Sequence, residues 1–186
     1  MRIIGGKFKG KKLILPYNKK TRPLKDVVKE SIFNLIVHSR LINIDIENSN
    51  VLDLFSGSGS FGLECISRGA RSVYFFENYN LAIKTLKKNI SLFNDQNKIK
   101  IFENDCFNSF DKINHLNLKF DIIFIDPPFR EQKINIVLNK IIENKLLKKN
   151  GIIIIHRHKK DTVSISKKLK IFDTRKYGLS KIIFGN

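Results

Sequence analysis

Apolar positions in the chain follow two alternating patterns from Val51 onward. Short runs rich in β-branched and aromatic residues predict strands near 51–55, 72–76, 98–102, 120–125 and 151–155. Between these runs, apolar residues recur at helical spacing and predict helices near 60–68, 79–93, 106–113 and 131–146. Strands that alternate with helices are typical of a parallel sheet covered by helices on both faces. We therefore expect a Rossmann-like α/β core over residues 51–186.

The two ends of the chain have different patterns. Strand patterns at 169–172 and 181–184 have no helix between them, so we expect a hairpin that makes the last of seven strands antiparallel to its neighbour. Near the N-terminus, apolar residues at 3–4 and 13–15 flank a turn rich in glycine and lysine, which predicts a small β-hairpin. A helix with Asp26 as its N-cap is expected to run to about His38. We expect a single domain over 1–186, with residues 1–40 as an extension of the core.

Charge and cysteine content narrow the class of protein. The 186 residues carry a formal net charge of +18, with 35 lysines and arginines against 17 acidic residues, which favours a polyanionic partner such as nucleic acid. An A/T-rich genome also produces such an excess of lysine, asparagine and isoleucine, so the charge alone does not decide. No apolar run has the length of a membrane helix or a signal peptide, and the two cysteines lack metal-binding spacing. We expect a cytoplasmic protein with no membrane partner.

The strand pattern at 120–125 ends in the first chemical motif, Asp126-Pro127-Pro128-Phe129. The prolines lack N–H groups and stop the strand, so it delivers a carboxylate, free carbonyls and an aromatic ring to the carboxyl end of the sheet. Ligands bind at that end in open α/β sheets. A planar molecule with an amino group would suit these groups, and the motif matches the signature of S-adenosylmethionine-dependent amino-methyltransferases. The alternative interpretation is a rigid turn with an incidental acid.

A glycine-rich loop after the first core strand forms the second motif. Gly57, Gly59 and Gly62 open a helix, and Glu77 ends the next strand, a spacing that serves either a dinucleotide or S-adenosylmethionine. Asp53 precedes the glycines, where it would repel a pyrophosphate and attract a methionine ammonium group. Together with the Asp126 motif and the antiparallel ending of the sheet, it favours the class I S-adenosylmethionine-dependent methyltransferase fold. The candidate cofactor-binding residues are Asp53, Phe55, Ser56, Gly57, Ser58, Gly59, Glu77, Asn78, Asp105 and Cys106.

Cations surround an aromatic residue in the predicted N-terminal hairpin. This combination is typical of phosphate contacts beside a stacking ring, although a solvated hairpin tip has the same composition. The candidate RNA-binding residues are Lys7, Phe8, Lys9, Lys11, Lys12, Arg22 and Lys25.

On these residues the chain resembles, nearly end to end, the RsmD family of bacterial small-subunit rRNA guanine-N2 methyltransferases. The specific part of the resemblance is N-terminal: Arg2-Ile-Ile-Gly-Gly-Lys, Gly10-Lys-Lys-Leu and Thr21-Arg22-Pro23. The chain departs from the family at Leu24, Lys25 and Ser56, and at 156–158, where His-Arg-His stands in place of a frequent acidic residue. The two histidines lack a third ligand, so we expect no metal and favour a solvated or phosphate-facing strand end.

The resemblance implies methyl transfer from S-adenosylmethionine to the exocyclic N2 of a guanine in 16S rRNA, guanine 966 in the family. It further implies a monomer that acts on the assembled small ribosomal subunit, with residues 126–129 as the catalytic set. Three alternatives stay open. A DNA adenine-N6 methyltransferase shares the Asp-Pro-Pro-Phe chemistry but usually carries a separate recognition domain. A nicotinamide-dependent oxidoreductase leaves Asp53 and Asp126 unexplained, and an RNA-binding domain without activity leaves the intact pocket motifs unexplained.

Overall fold

The computed structural model describes residues 1–16 and 24–186, and the strands of this part of the chain form one mixed sheet. The strands are β1 (Asn50–Leu54), β2 (Ser72–Phe76), β3 (Ile99–Phe102), β4 (Phe120–Ile125), β5 (Leu147–His158), β6 (Ile171–Tyr177) and β7 (Ser180–Gly185). Their order is β3-β2-β1-β4-β5-β7-β6, with β1 to β5 parallel and β7 antiparallel to both β5 and β6. The predicted seven-stranded sheet and its antiparallel ending are confirmed.

Five α-helices connect these strands or precede them within the described residues. They are α1 (Asp26–His38), α2 (Ser60–Ser67), α3 (Asn80–Ile90), α4 (Phe110–Asn114) and α5 (Ile134–Glu143), with a short 3-10 helix at Gln96–Lys98. Helix α4 is shorter than the predicted 106–113, because the Asp105 carboxylate and carbonyl accept the N–H groups of Phe107 and Asn108 and form a turn first. None of the described helices has the length and apolar character to span a membrane.

Both faces of the sheet are covered by helices, as the alternating pattern predicts. In β4, Ile122 and Phe124 face one apolar cluster, which includes α1, α2 and α3, while Ile123 and Ile125 face a second cluster with α4 and α5. Phe61 of α2 stacks on Phe124 with ring centroids 4.0 Å apart. Because β4 is buried on both faces, its carboxyl end is held rigidly in the centre of the sheet.

The N-terminal hairpin is less regular than predicted. Its two segments, residues 1–13, share one antiparallel bridge, between Arg2 and Lys12, instead of two full strands. The N-cap of α1 is Lys25, and the prediction of Asp26 as N-cap is wrong by one residue. Asp26 begins the helix and accepts the backbone N–H of Arg2 at 3.4 Å, so it links the hairpin to the helix instead of capping it.

Candidate active site

The candidate site lies where the strand order reverses, between β1 and β4. β1 connects to β2 on one side and pairs with β4 on the other, and ligands of doubly wound sheets bind at such a switch point. Asp53 belongs to the end of β1, and Asp126 directly follows β4, where its N–H donates to the Leu54 carbonyl at 3.2 Å. The two motifs that were predicted from separate stretches of sequence therefore meet at one edge of the sheet.

The glycine-rich loop has a compact, left-handed backbone. Phe55, Gly57 and Gly59 have φ values of 61°, 56° and 79°, and the non-glycine Phe55 in this region is a strained residue of the kind found at functional sites. The Ser56 hydroxyl bonds the carbonyls of Asp53 at 2.6 Å and Phe76 at 3.0 Å, which fastens the loop to β1 and β2. A Cβ added at Gly57 would meet no atom within 4 Å, so one face of the loop is open. Ser58 is buried in the same loop.

Asp53 is a buried carboxylate that serves the first turn of α2. Its Oδ2 accepts the N–H of Gly62 at 3.0 Å, and its exposed fraction is 1%. Burial raises the pKa of Asp53 well above its usual range, and the charges of Asp126 and Glu77 raise it further against the opposing hydrogen bond from Gly62. A cation placed beside these acids would relieve that cost.

The Glu77 carboxylate organises the neighbouring backbone. It accepts N–H groups from Gly57 at 2.7 Å, Asn78 at 3.0 Å and Tyr79 at 2.8 Å. The acid at the end of β2 therefore holds the glycine loop on one side and the start of α3 on the other. A carboxylate has about four acceptor positions, so it retains capacity for a ligand hydroxyl.

An aromatic wall lies beside the predicted Asp105–Cys106 pair. Cys106 is buried, and the loss of solvent raises the pKa of its thiol. The negative charge of Asp105 raises this pKa further. Phe107 packs edge-to-face on Phe55, with ring centroids 5.6 Å apart. Phe107 was not predicted from the sequence; its position directly after Asp105-Cys106 was the available signal.

The Asp126-Pro127-Pro128-Phe129 loop is contacted by the end of β5. Asp126 Oδ1 is 2.8 Å from Nδ1 of His156, and the Phe129 ring packs edge-to-face against His156 and His158 at centroid distances of 5.4 and 5.2 Å. The sequence predicted a solvated or phosphate-facing strand end for the two histidines, which is wrong for His156, because its ring is buried and hydrogen-bonded. The structure places both beside the Asp126-Pro127-Pro128-Phe129 loop.

Arg157 is a fully buried arginine that holds the same loop by its backbone. Its guanidinium donates to the carbonyls of Pro128 and Phe129 at 3.4 Å each and to that of Glu131 at 2.7 Å. Its Nε donates to Asp161 at 2.5 Å. Burial alone would raise the pKa of Asp161, but this bond and the Val163 N–H bring it below its usual range. This role of Arg157 was not predicted from the sequence; an arginine that closely follows a run of four isoleucines, with His156 between, was the available signal.

The predicted RNA-binding residues divide into two groups. Lys7 pairs with Asp95 at 3.3 Å, Lys11 donates to the Leu92 carbonyl, and the Phe8 ring packs edge-to-face on Phe93 at 4.8 Å. These three residues therefore also attach the hairpin to the body of the protein. The second group is exposed: Lys9, Lys12 and Lys25. Arg22 lies outside the described residues.

The hairpin docks closely on the end of α2. Glu64 accepts the N–H groups of Ile4 and Gly5 at 2.8 Å each, and a Cβ added at Gly6 would lie 1.8 Å from the Ser67 carbonyl oxygen. The Asn89 amide bonds both the Ile14 backbone and the Ser58 carbonyl, at 2.8 to 3.0 Å. The hairpin and the glycine loop are therefore connected through one buried side chain.

The sheet order, the glycine loop and the Asp-Pro-Pro-Phe loop define a methyltransferase of the Rossmann-like class. A family model described as conserved hypothetical protein 95 matches residues 1–186. Ribosomal RNA small subunit methyltransferase D of Buchnera aphidicola is 32% identical over 170 residues, which cover 91% of this chain and 84% of that protein. The Haemophilus influenzae protein of the same name is 33% identical over 159 residues, covering 86% and 79%. The chain belongs to the RsmD family.

A solved structure gives the same result. The provisionally named methylase HI0767 of Haemophilus influenzae superimposes with a TM-score of 0.74 at 26% identity, over 99% of this chain and 96% of that one. The expected fold class and family are confirmed.

Proposed function

We propose that this protein transfers a methyl group from S-adenosylmethionine to the exocyclic N2 of a guanine in 16S rRNA, the family's guanine 966, within the small ribosomal subunit. The observation that carries the proposal is the position of the Asp126-Pro-Pro-Phe loop at the switch point, beside the buried Asp53 and the glycine loop. Family membership supports the choice of rRNA, because the Buchnera and Haemophilus relatives are named as small subunit rRNA methyltransferases. We propose further that the protein acts in the cytoplasm, where its substrate is found, and that it acts as a monomer, as the family resemblance implies.

The residues around the glycine loop suit S-adenosylmethionine. Asp53, whose pKa is raised by burial and by neighbouring acids, would accept the methionine ammonium group as a compensating cation. Glu77 would accept the ribose hydroxyls, and the open face at Gly57 leaves room for the ligand. The rings of Phe55 and Phe107 would enclose the adenine, with Asp105 as an acceptor for its amino group.

The reaction needs a guanine amine that is made nucleophilic and held in place. When bound, S-adenosylmethionine supplies an electrophilic methyl group on its sulfonium. Asp126 and the Pro127 carbonyl would accept the two N–H bonds of guanine N2, which withdraws its lone pair from the ring and directs it outward. Among the described residues no donor bonds the Pro127 carbonyl, whereas the carbonyls of Pro128 and Phe129 are taken by Arg157. Of these three carbonyls, that of Pro127 lacks a donor within residues 1–16 and 24–186, and we assign it to the substrate amine.

Proton transfer and positioning complete the mechanism. The amine would lose one proton as its new N–C bond forms and the methyl C–S bond breaks, which leaves a neutral thioether, and the Asp126 carboxylate would take that proton. Phe129 would stack on the base and fix its plane, which contributes by orientation. The target base must be unstacked to reach the loop, and rRNA loops offer such bases at low cost. The exposed lysines Lys9, Lys12 and Lys25 would contact the phosphates, together with Arg22.

Methylation of purified small subunits tests the proposal. Labelled S-adenosylmethionine is incubated with the protein and with small subunits from a strain that lacks the family's enzyme, and naked 16S rRNA and genomic DNA serve as parallel substrates. Nucleoside analysis should give N2-methylguanosine on the subunits. N6-methyladenine in the DNA would instead favour the DNA methyltransferase, and binding of NADH without S-adenosylmethionine would favour the oxidoreductase.

The Asp126→Ala variant tests the assigned chemistry. We expect loss of methylation while S-adenosylmethionine still binds, because Asp126 contacts the amine and not the methionine end of the cofactor. Calorimetric titration with the cofactor provides the control for a folded pocket. Full turnover by this variant would contradict the assignment.

A further inference from the structure

His156 joins the two chemical groups of the Asp126-Pro-Pro-Phe loop. Its Nδ1 is 2.8 Å from Asp126 Oδ1, its Nε2 is 2.8 Å from Ser180 Oγ on β7, and its ring packs edge-to-face on Phe129. We propose that His156 is a positioning residue for methyl transfer, which fixes the Asp126 carboxylate and the Phe129 ring relative to the substrate amine. The inference rests on the proposed function and adds a residue that acts through Asp126 instead of touching the reacting atoms.

The hydrogen bonds assign the proton on the imidazole. An ionised carboxylate only accepts, so Nδ1 carries the hydrogen and donates to Asp126. Nε2 and the Ser180 hydroxyl form the second hydrogen bond, in which a hydroxyl can act as donor or acceptor. This bracing from both sides fixes the ring plane and therefore the direction of Asp126 Oδ1. Oδ2 has no hydrogen-bond partner among residues 1–16 and 24–186. The histidine thus occupies one carboxylate oxygen and leaves the other for the amine.

The same three side chains occur in the Asp-His-Ser triad of hydrolases. In this protein the aspartate, and not the serine, is the most exposed of the three. Ser180 is 8% exposed and His156 is 6% exposed, whereas the Asp126 side chain is 18% exposed. A hydrolase needs its serine oxygen accessible to the acyl group that it attacks. In this protein the carboxylate end opens to the site and the serine is enclosed. The arrangement therefore presents a carboxylate, not a nucleophilic hydroxyl.

Four variants separate this role from general packing. His156→Ala removes the donor, and we expect kcat for small-subunit methylation to fall roughly 100-fold, as for misplaced catalytic groups. The KM for the subunit and the affinity for S-adenosylmethionine should stay nearly unchanged. His156→Asn places an amide N–H near the position of Nδ1 and should recover activity to within roughly tenfold of wild type, because the donor to Asp126 is restored. Ser180→Ala removes one hydrogen bond to the imidazole and should lower kcat about fivefold.

His158→Ala is the matched variant for ring packing. It removes a second edge contact to Phe129, at 5.2 Å, without altering the bond to Asp126. We expect a smaller loss than in His156→Ala. Equal losses of kcat in the two variants would show that packing against the Phe129 ring causes the effect. That result would overturn the role assigned to the hydrogen bond between His156 and Asp126.

A measurement that does not depend on turnover completes the test. The ¹⁵N imidazole spectrum of the wild type, with the signal of His156 assigned by its loss in His156→Asn among only four histidines, should show a hydrogen on Nδ1. A neutral ring protonated on Nε2 would overturn the proposal, as would full activity in His156→Ala or no recovery in His156→Asn. Absence of methylation by the wild type would contradict the proposed function itself. The ¹⁵N spectrum would then still show whether Nδ1 of His156 donates to Asp126.

Discussion

Lys29 Nζ lies 3.4 Å from the Glu64 carboxylate, and both side chains are completely buried. Glu64 also bonds Arg68 Nε at 2.9 Å, and Lys29 donates to the Arg2 carbonyl at 2.7 Å. Burial lowers the pKa of Lys29 from its usual range, and the charge of Glu64 partly opposes this. This buried pair therefore joins the N-terminal hairpin to α1 and α2, and Lys29 also reaches Ser60 at the start of α2, next to the glycine-rich loop.

Removal of either partner should destabilise the fold to different degrees. Glu64→Leu leaves Lys29 buried without its counter-ion and leaves the N–H groups of Ile4 and Gly5 unpaired, so we expect a loss of about 3–5 kcal/mol. Lys29→Met is expected to cost less, because Glu64 keeps Arg68 and both N–H donors. Urea unfolding measures the two losses. A larger loss in Lys29→Met would contradict the role of Glu64 as the central acceptor.

The sequence predicted the fold well because its signals were local. Each of three local signals marks where a strand lies or ends: the four isoleucines before His156, the prolines after Asp126 and the glycines after Phe55. Together these signals indicate the order of strands and the place of the site. The contacts of His156 and Arg157 were missed because they depend on β5 lying beside β4, which brings residues 126–131 and 156–157 together. Packing of Phe8 on Phe93 was missed for the same reason.

Close docking of the hairpin should be necessary for RNA methylation. Gly6 has φ 75°, and a Cβ there would overlap the Ser67 carbonyl oxygen, so Gly6→Ala should displace the hairpin. We expect the KM for the small subunit to rise roughly tenfold as phosphate contacts are lost, with cofactor affinity retained.

Gly10→Ala is the matched control for this substitution. Gly10 also has a positive φ, of 87°, but a Cβ there would meet no atom within 4 Å. It should cost only about 1–2 kcal/mol of backbone strain and leave docking intact. Equal effects of the two variants on KM would show that strain, and not displacement, is responsible.

Arg157→Lys should disorder the Asp126-Pro127-Pro128-Phe129 loop while it keeps the charge beside Asp161. A lysine cannot reach the carbonyls of Pro128, Phe129 and Glu131 together, because it lacks the planar fork of the guanidinium. We expect a stability loss of about 1–3 kcal/mol and a kcat reduced roughly 100-fold. Arg130→Lys, at an exposed position of the same loop, should change stability by less than about 0.5 kcal/mol. Thermal unfolding and steady-state kinetics compare the two variants. Equal stability losses would contradict the role of Arg157 in holding the loop.

Asp53→Asn should stabilise the ligand-free protein in a pH-dependent way. The pKa of Asp53 is raised in the folded state, mainly by burial, so between about pH 3.9 and that raised value the unfolded chain releases a proton that the folded chain keeps. Folding stability of the wild type then falls with rising pH, by up to about 1.4 kcal/mol per unit for this group. The asparagine carbonyl keeps the bond to the Gly62 N–H and does not ionise.

The difference in Tm between Asp53→Asn and the wild type should therefore be small near pH 4 and should grow toward neutral pH. The contributions of groups that are not coupled to Asp53 cancel in this difference, so differential scanning fluorimetry across the range reports on Asp53 together with its neighbours Asp126 and Glu77. Addition of S-adenosylmethionine should raise the Tm of the wild type much more than that of the variant, because only the carboxylate gains a compensating cation. A Tm difference that is constant across the pH range would show that folding does not raise the pKa of Asp53, and the argument for an ammonium partner would then lose its electrostatic basis.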